Sequence, residues 1–214
     1  MPKTLKRIGI FGGSFDPVHH GHLQTAVEVL EQTGLDELRF IPTGQSPHKA
    51  EQLLSAADRV GALEIALQGK AKFSLDQREI RRAGPSYSVL SLEELRAENP
   101  SASICFVLGT DAWEGFANWH RSSEILELCH LLIVTRPGAE LPQTGALAEF
   151  LHKHLAKDAV QLAQRQAGLV LPLCVSQLEI SSTVIRDRLI AGQSVDYLLP
   201  QAVANFLQNV RYGE

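Results

Sequence analysis

Two histidines three residues apart, His19 and His22, close the segment GGSFDPVHHGH that begins at Gly12. A strand running into Gly12-Gly13 lets the backbone approach a polyanion with no Cβ in the way. A helix beginning near Gly21 presents unpaired N–H groups and the positive end of its dipole to a phosphate. Residues at i and i+3 share a helix face, so both imidazoles can point at one phosphate, with Gly21 keeping that face open. Other readings stand beside this one. A strand–Gly-Gly–helix unit is also a common tight turn. Three neighbouring histidines could bind Zn²⁺, although no Cys or further ligand cluster completes such a site. His20, adjacent and out of phase, reads as structural or solvent-facing.

Near the other end, ISSTVIR (180–186) opens a second helix. Ser181, Ser182 and Thr183 are suitable N-caps, and their hydroxyls with the unpaired N–H groups make a second anion cradle. Arg186 lies one turn in and carries fixed charge at any pH. Taken alone, this element is equally a capped helix with a surface arginine.

The elements that must position these groups alternate from end to end. Strands are expected at 6–11, 38–41, 73–75, 104–108, 131–135 and 169–175. Helices are expected at 21–32, after Ser55 as N-cap with Asp58 three residues on, at 89–98 behind a Ser88 cap, and at 145–158, 183–191 and 201–210. The run ICFVL at 104–108 is apolar at every position, as a strand buried on both faces should be. The alternation implies an α/β protein: a single Rossmann-like domain over residues 1–214, an open, mostly parallel sheet with helices on both faces. Ligands in such sheets sit beyond the carboxyl ends of the strands, where strand order reverses. Gly12, Pro42, Gly109 and Pro137 fall at those ends. No repeat, low-complexity stretch or linker interrupts the pattern.

Composition narrows the function class. The 214 residues are 44% hydrophobic and 21% charged, with a net charge of −4. Such a chain carries no global positive field for nucleic acid or an anionic membrane, so an anionic substrate needs a local cationic cluster. The N-terminal apolar run is too short and glycine-rich for a signal peptide, and the longest apolar stretch is broken by Glu127 and His130. Cys105, Cys129 and Cys174 are far apart in apolar surroundings and read as small core residues of a reducing cytoplasm.

The first segment resembles the H-x-G-H signature of the nucleotidylyltransferase superfamily, and ISSTVIR resembles its I-S-[ST]-T-x-I-R motif. Strings in the middle of the chain resemble the bacterial nicotinate-nucleotide adenylyltransferase family: IPTGQSPHK, GPSYSVLSL, FVLGTDAWEGFANWHRSSEIL, VTRPG and YLLPQAVANFL. Together the resemblance spans Ile8 to about Phe206. It implies AMP transfer from ATP to nicotinate mononucleotide with Mg²⁺, by direct in-line attack without a covalent intermediate, the ion held mainly by substrate phosphates. It also implies His19, His22 and Arg186 as catalytic residues. ATP and its phosphates would be held by Gly12, Gly13, Ser14, Phe15, His19, His22, Lys49, Gly109, Asp111, Ile180, Ser181, Ser182 and Arg186. The mononucleotide would be held by His48, Lys49, Tyr87, Ser88, Trp119 and Arg136. At the end of a parallel strand the Asp111 carboxylate can bond a ribose hydroxyl. Trp119 can stack on an electron-poor pyridine ring, or fill core as tryptophans commonly do. Ser14, Ser46 and Ser88 depart from the family pattern of Thr, Pro and Thr. Two rivals remain at this point: a sister transferase acting on phosphopantetheine or another mononucleotide, and a non-catalytic nucleotide sensor.

Overall fold

The structure, a computed structural model, describes residues 4–46, 52–176, 178–208 and 210. His48 and Lys49 of the expected site therefore lie outside the described residues. The first half runs β1 (Arg7–Gly13), α1 (His20–Thr33), β2 (Glu37–Pro42), α2 (Ala56–Leu67), β3 (Phe73–Leu75), α3 (Arg78–Arg81) and α4 (Ser88–Glu98). The second half runs β4 (Ser103–Gly109), α5 (Thr110–Glu114), α6 (Ser122–Leu128), β5 (His130–Thr135), α7 (Ala146–His154), β6 (Val170–Cys174), α8 (Ser182–Ile190) and α9 (Gln201–Leu207). Short 3₁₀ turns occupy Phe116–Asn118 and Gln161–Gln164.

Among the described residues the six strands form one sheet in the order β3-β2-β1-β4-β5-β6, every pairing parallel. The sheet is thus the open α/β arrangement the alternation implied, and the order reverses between β1 and β4, which marks that crevice for ligands. Strand alternation divides the core. Ile8 and Ile10 of β1, Ile104, Phe106 and Leu108 of β4, and Leu131 and Ile133 of β5 face α4, α5 and α6. Leu38 and Phe40 of β2, Cys105 and Val107 of β4, and Leu132 and Val134 of β5 face α1, α2, α8 and α9. Gly9 makes room for the core: a Cβ there would meet the methyl ends of Leu38 and Leu35 packed over β1, and both leucines would have to shift.

Several boundaries differ from expectation, each for a local reason. Strand β1 extends to Gly13, which pairs with Pro42, so the glycines belong to the strand end. Ser55 caps α2 as expected, its Oγ accepting from Asp58 N–H. At α4 the capping position is Tyr87, without a side-chain cap bond, and Ser88 is the first helical residue. Helix α7 stops at His154 because Leu155 leaves it to bridge to Val170. The 109–128 stretch folds into short helical pieces around Trp113, which is fully buried, while Trp119 is half-buried.

Candidate active site

Two cavities adjoin at the crevice between β1 and β4. The first, of about 620 Å³, is lined by His19, His22, Asp111, Ile180, Ser181, Ser182 and Arg186, with Asp16 and Thr25. The second, of about 250 Å³, is lined by Gly12, Gly13, Thr43, Ser86, Ser88 and Trp119 above a floor that includes Glu79 and Phe106. Phe11, Ser14 and Gly109 line both, so the ends of β1 and β4 are the shared wall. A recess of about 130 Å³ beside the second cavity is bounded by Tyr87, Ser88, Trp119 and His120. Residues from opposite ends of the chain thus meet as the two motifs require.

In the first cavity, His19 and His22 stack with ring centroids 3.8 Å apart and planes 26° from parallel. Stacked rings do not aim two lone pairs at one ion, which argues against zinc. Gly21 leaves room for this stack, since a Cβ there would press on the His19 ring at 3.0 Å. His20 is half-buried, and its backbone N–H donates to the carbonyl of Leu198. Across the cavity, Ser181 caps α8 by accepting from Thr183 N–H at 3.2 Å, and Ser182 Oγ donates to Pro17 at 3.2 Å. Arg186 donates to the Asp16 carbonyl at 2.9 Å and to Thr183 Oγ1 at 3.1 Å.

His19 is only 6% exposed. Burial pushes its imidazole down to about 4, and the neighbouring His20 pushes the same way. Without ligand it is therefore neutral at pH 7 and offers a polyanion a hydrogen bond rather than a charge. The shift has a stability consequence. Between pH about 6.5, where an unfolded histidine titrates, and about 4, the unfolded chain binds more protons than the folded one. Folding free energy is then lost as pH falls through that window, by about 3 kcal/mol at its acid end. Replacing His19 by glutamine is expected to flatten this slope, as read by urea unfolding at a series of pH values. Identical slopes in both proteins would show that His19 is not held neutral. Buried His130 is lowered too, also by burial, but contributes equally to both proteins.

The second cavity is held by a chain of hydrogen bonds that the sequence does not advertise. Gly44 N–H donates to Ser86 Oγ at 3.0 Å, and Ser91 Oγ donates to the buried Glu79 carboxylate at 2.7 Å. Burial raises the Glu79 carboxyl above its ordinary range, opposed by hydrogen bonds from Ser91 and Ser86 and by the Arg82 charge. These contacts join the loop after β2 to the loop before α4. A Cβ at Gly44 would strike the backbone carbonyl oxygen of Glu79, which has no flexible end to move aside. Gly44→Ala is therefore expected to cost about 1–3 kcal/mol. A melting temperature within a degree of wild type would show that the loops reseat freely.

The remaining expected residues fall in different places. Tyr87 packs tilted against His120, with centroids 4.3 Å apart and planes at 30°, at the wall of the recess. Phe15 is 1% exposed and packs edge-on against His22 and Phe11, so its ring is core and only its backbone can face a ligand. Arg136 stands exposed after β5 and lines neither cavity. Asp16, Glu79, Ser86 and His120 were given no role from sequence, although Asp16 lies inside the glycine-histidine segment, Ser86 inside GPSYSVLSL and His120 beside Trp119.

The chain that forms this crevice belongs to the cytidylyltransferase-like family, whose model matches residues 10–188, and its relatives make it a nucleotidyltransferase. Within that class it is one of the nicotinate-nucleotide adenylyltransferases. A protein of Hydrogenovibrio crunogenus named "Probable nicotinate-nucleotide adenylyltransferase" is 38% identical over 205 residues, covering 96% of each chain. One of the same name from Pseudomonas aeruginosa is 40% identical over 204 residues, covering 95% of each. Among solved structures, the nicotinic acid mononucleotide adenylyltransferase of Plasmodium falciparum complexed with NaAD superposes with a TM-score of 0.72 over 95% of each chain. At 16% identity that likeness concerns the fold.

Proposed function

We propose that this enzyme transfers AMP from ATP to nicotinate mononucleotide, releasing pyrophosphate and forming nicotinate adenine dinucleotide in NAD biosynthesis. The observation that carries the reading is the pair of cavities sharing a wall at Phe11, Ser14 and Gly109, one rich in anion donors and the other in hydroxyl and aromatic groups. The relatives' names and the dinucleotide held by the Plasmodium enzyme support the same reaction.

In this reading the triphosphate lies between His19 and His22 on α1 and Ser181, Ser182 and Arg186 on α8, with Asp111 at the ribose. Nicotinate mononucleotide occupies the second cavity, its ring against Trp119 and its acid end toward Tyr87 and Ser88. The 5′-phosphate of the mononucleotide has a second pKa near 6 and is largely ionised at neutral pH. One of its oxygens attacks the α-phosphorus as the bond to the departing pyrophosphate oxygen breaks, so no general base or covalent intermediate is needed. Catalysis then rests on positioning two polyanions and stabilising the leaving group.

Two helix N-termini, the imidazole N–H groups and Arg186 serve those ends, with Lys49 and His48 assigned to the same region on sequence alone. Mg²⁺ bound to the triphosphate would shield its charge and polarise the α-phosphate. Asp111 and the hydroxyls of Ser181 and Ser182 are the oxygen donors that would face such an ion, which phosphate oxygens and water would mainly hold. The enzyme acts as a single domain in the cytoplasm. Burial pushes Cys105 up to about 12 and Cys129 well above its ordinary range, so neither is a ready nucleophile, while Cys174, expected in the core, is exposed. Among the described residues no helix is long and apolar enough to cross a membrane.

The test is pyrophosphate release from ATP–Mg²⁺ with nicotinate mononucleotide, nicotinamide mononucleotide or phosphopantetheine as acceptor. Release with nicotinate mononucleotide above the others is expected. Release with phosphopantetheine alone would make this a sister transferase, and ATP binding without turnover on any acceptor a sensor.

A further inference from the structure

Asp16 presents a physical contradiction. It lines the cavity assigned to a triphosphate, where a negative charge repels the ligand, yet it is only 4% exposed. Both side-chain oxygens are engaged: Oδ1 accepts from Leu54 N–H and Oδ2 from Leu53 N–H, each at 3.0 Å. On one side Arg186 Nη1 lies 3.6 Å from Oδ2 while donating to the Asp16 carbonyl at 2.9 Å. On the other, Arg59 of α2 is fully buried, donates to the Ser14 carbonyl at 2.8 Å and is attracted by the Asp16 charge. Three segments remote in sequence, the loop after β1, the start of α2 and the first turns of α8, meet on one carboxylate.

The geometry points to Asp16 as a positioning residue that acts through Arg186. An arginine side chain has about 2 kcal/mol of rotamer freedom to lose on binding. A carbonyl and a carboxylate on the same residue hold the Arg186 guanidinium before ATP arrives, so that cost is met in folding rather than in catalysis. Arg59 and the two N–H groups offset the charge that does the holding, so the triphosphate meets a nearly neutral cluster from which Arg186 projects. This inference rests on the assignment of Arg186 to the triphosphate.

A double-mutant cycle separates positioning from mere structural support. Asp16→Asn, Arg186→Ala and the double variant are compared by pyrophosphate release, with melting temperatures taken alongside. Arg186→Ala is expected to lower kcat/KM for ATP about 100-fold and Asp16→Asn about tenfold. The Asp16 effect should fall on ATP, with KM for nicotinate mononucleotide changed less than about twofold. If Asp16 acts through Arg186, the double variant is no worse than Arg186→Ala within about threefold. A multiplicative loss near 1,000-fold would overturn the inference while leaving Arg186 in its assigned role. Unchanged kcat/KM for ATP in Arg186→Ala would overturn both. Should Asp16→Asn fail to fold, Asp16→Glu, which keeps the charge and displaces it by a methylene, takes its place in the cycle under the same criteria.

Discussion

Turnover of His22→Ala is expected to fall by a factor on the order of 10²–10³, the scale for loss of one donor aimed at charge developing in a transition state. His22 lies in the first turn of α1, lines the larger cavity and forms one half of the stack with His19. Its ring also meets the edges of Phe15 and Phe11, with centroids 5.1 and 6.2 Å away. Alanine removes the donor and withdraws the surface against which His19 is oriented, so under the proposed mechanism one change would disturb both imidazoles. The fold should survive, because the site is half-buried and alanine favours a helix. Circular dichroism establishes folding and pyrophosphate release gives kcat. A folded variant with near wild-type turnover would remove the histidines from the mechanism.

The second large effect is discrimination between the acid and amide forms of the acceptor. A carboxylate accepts on both oxygens, whereas a carboxamide presents one acceptor and two donors. A pocket of backbone N–H groups and hydroxyls at the start of α4 therefore sets donor against donor when the amide enters. Ser86 is not among the donors to be counted on, because its hydroxyl is committed to Gly44 and Glu79. That leaves Ser88, Tyr87 and the first turn of the helix. Each buried mismatch costs about 1–3 kcal/mol, so one or two give a preference of tens- to thousands-fold. Trp119, braced by Phe106 and Phe116 at 6.2 and 5.8 Å between ring centroids, would stack on either ring. Trp119→Ala should therefore weaken both mononucleotides alike, while Ser88→Ala should narrow the gap between them. The readout is kcat/KM for both acceptors, and equal use of acid and amide by the wild type would refute this pocket.

How much of this was legible in the sequence depended on whether a feature is local. Runs such as ICFVL state their own burial, and the six strands and their parallel pairing followed from periodicity and spacing. The capped start of α2 was legible because one hydroxyl and one N–H three residues apart define it. Ser88 misled for the same reason: its type suits a cap, but the packing of the 84–87 loop sets the helix start one residue earlier than a Ser88 cap would. Phe15 was expected at the phosphates from its place in a glycine-histidine string, which does not say that its ring packs under the β1–α1 turn and leaves only its backbone to face the cavity. Arg136 lies at a strand end, as ligand residues do, but beyond the crevice where strand order reverses. Asp16 sits inside a legible phosphate segment, but its role was not legible, and Glu79 carried no signal at all, because their partners lie tens of residues away or on other elements. A buried carboxylate is recognised by what surrounds it, and a single sequence does not print its surroundings.

The shared wall between the two cavities has a consequence for inhibition. With Phe11, Ser14 and Gly109 common to both, a ligand filling one cavity already stands at the threshold of the other. A single molecule joining an adenosine polyphosphate to a pyridine ribotide would carry its second half in at high effective concentration, with avidity 10²–10⁴ above either half on the order expected for a short tether. Either fragment alone would forgo that gain.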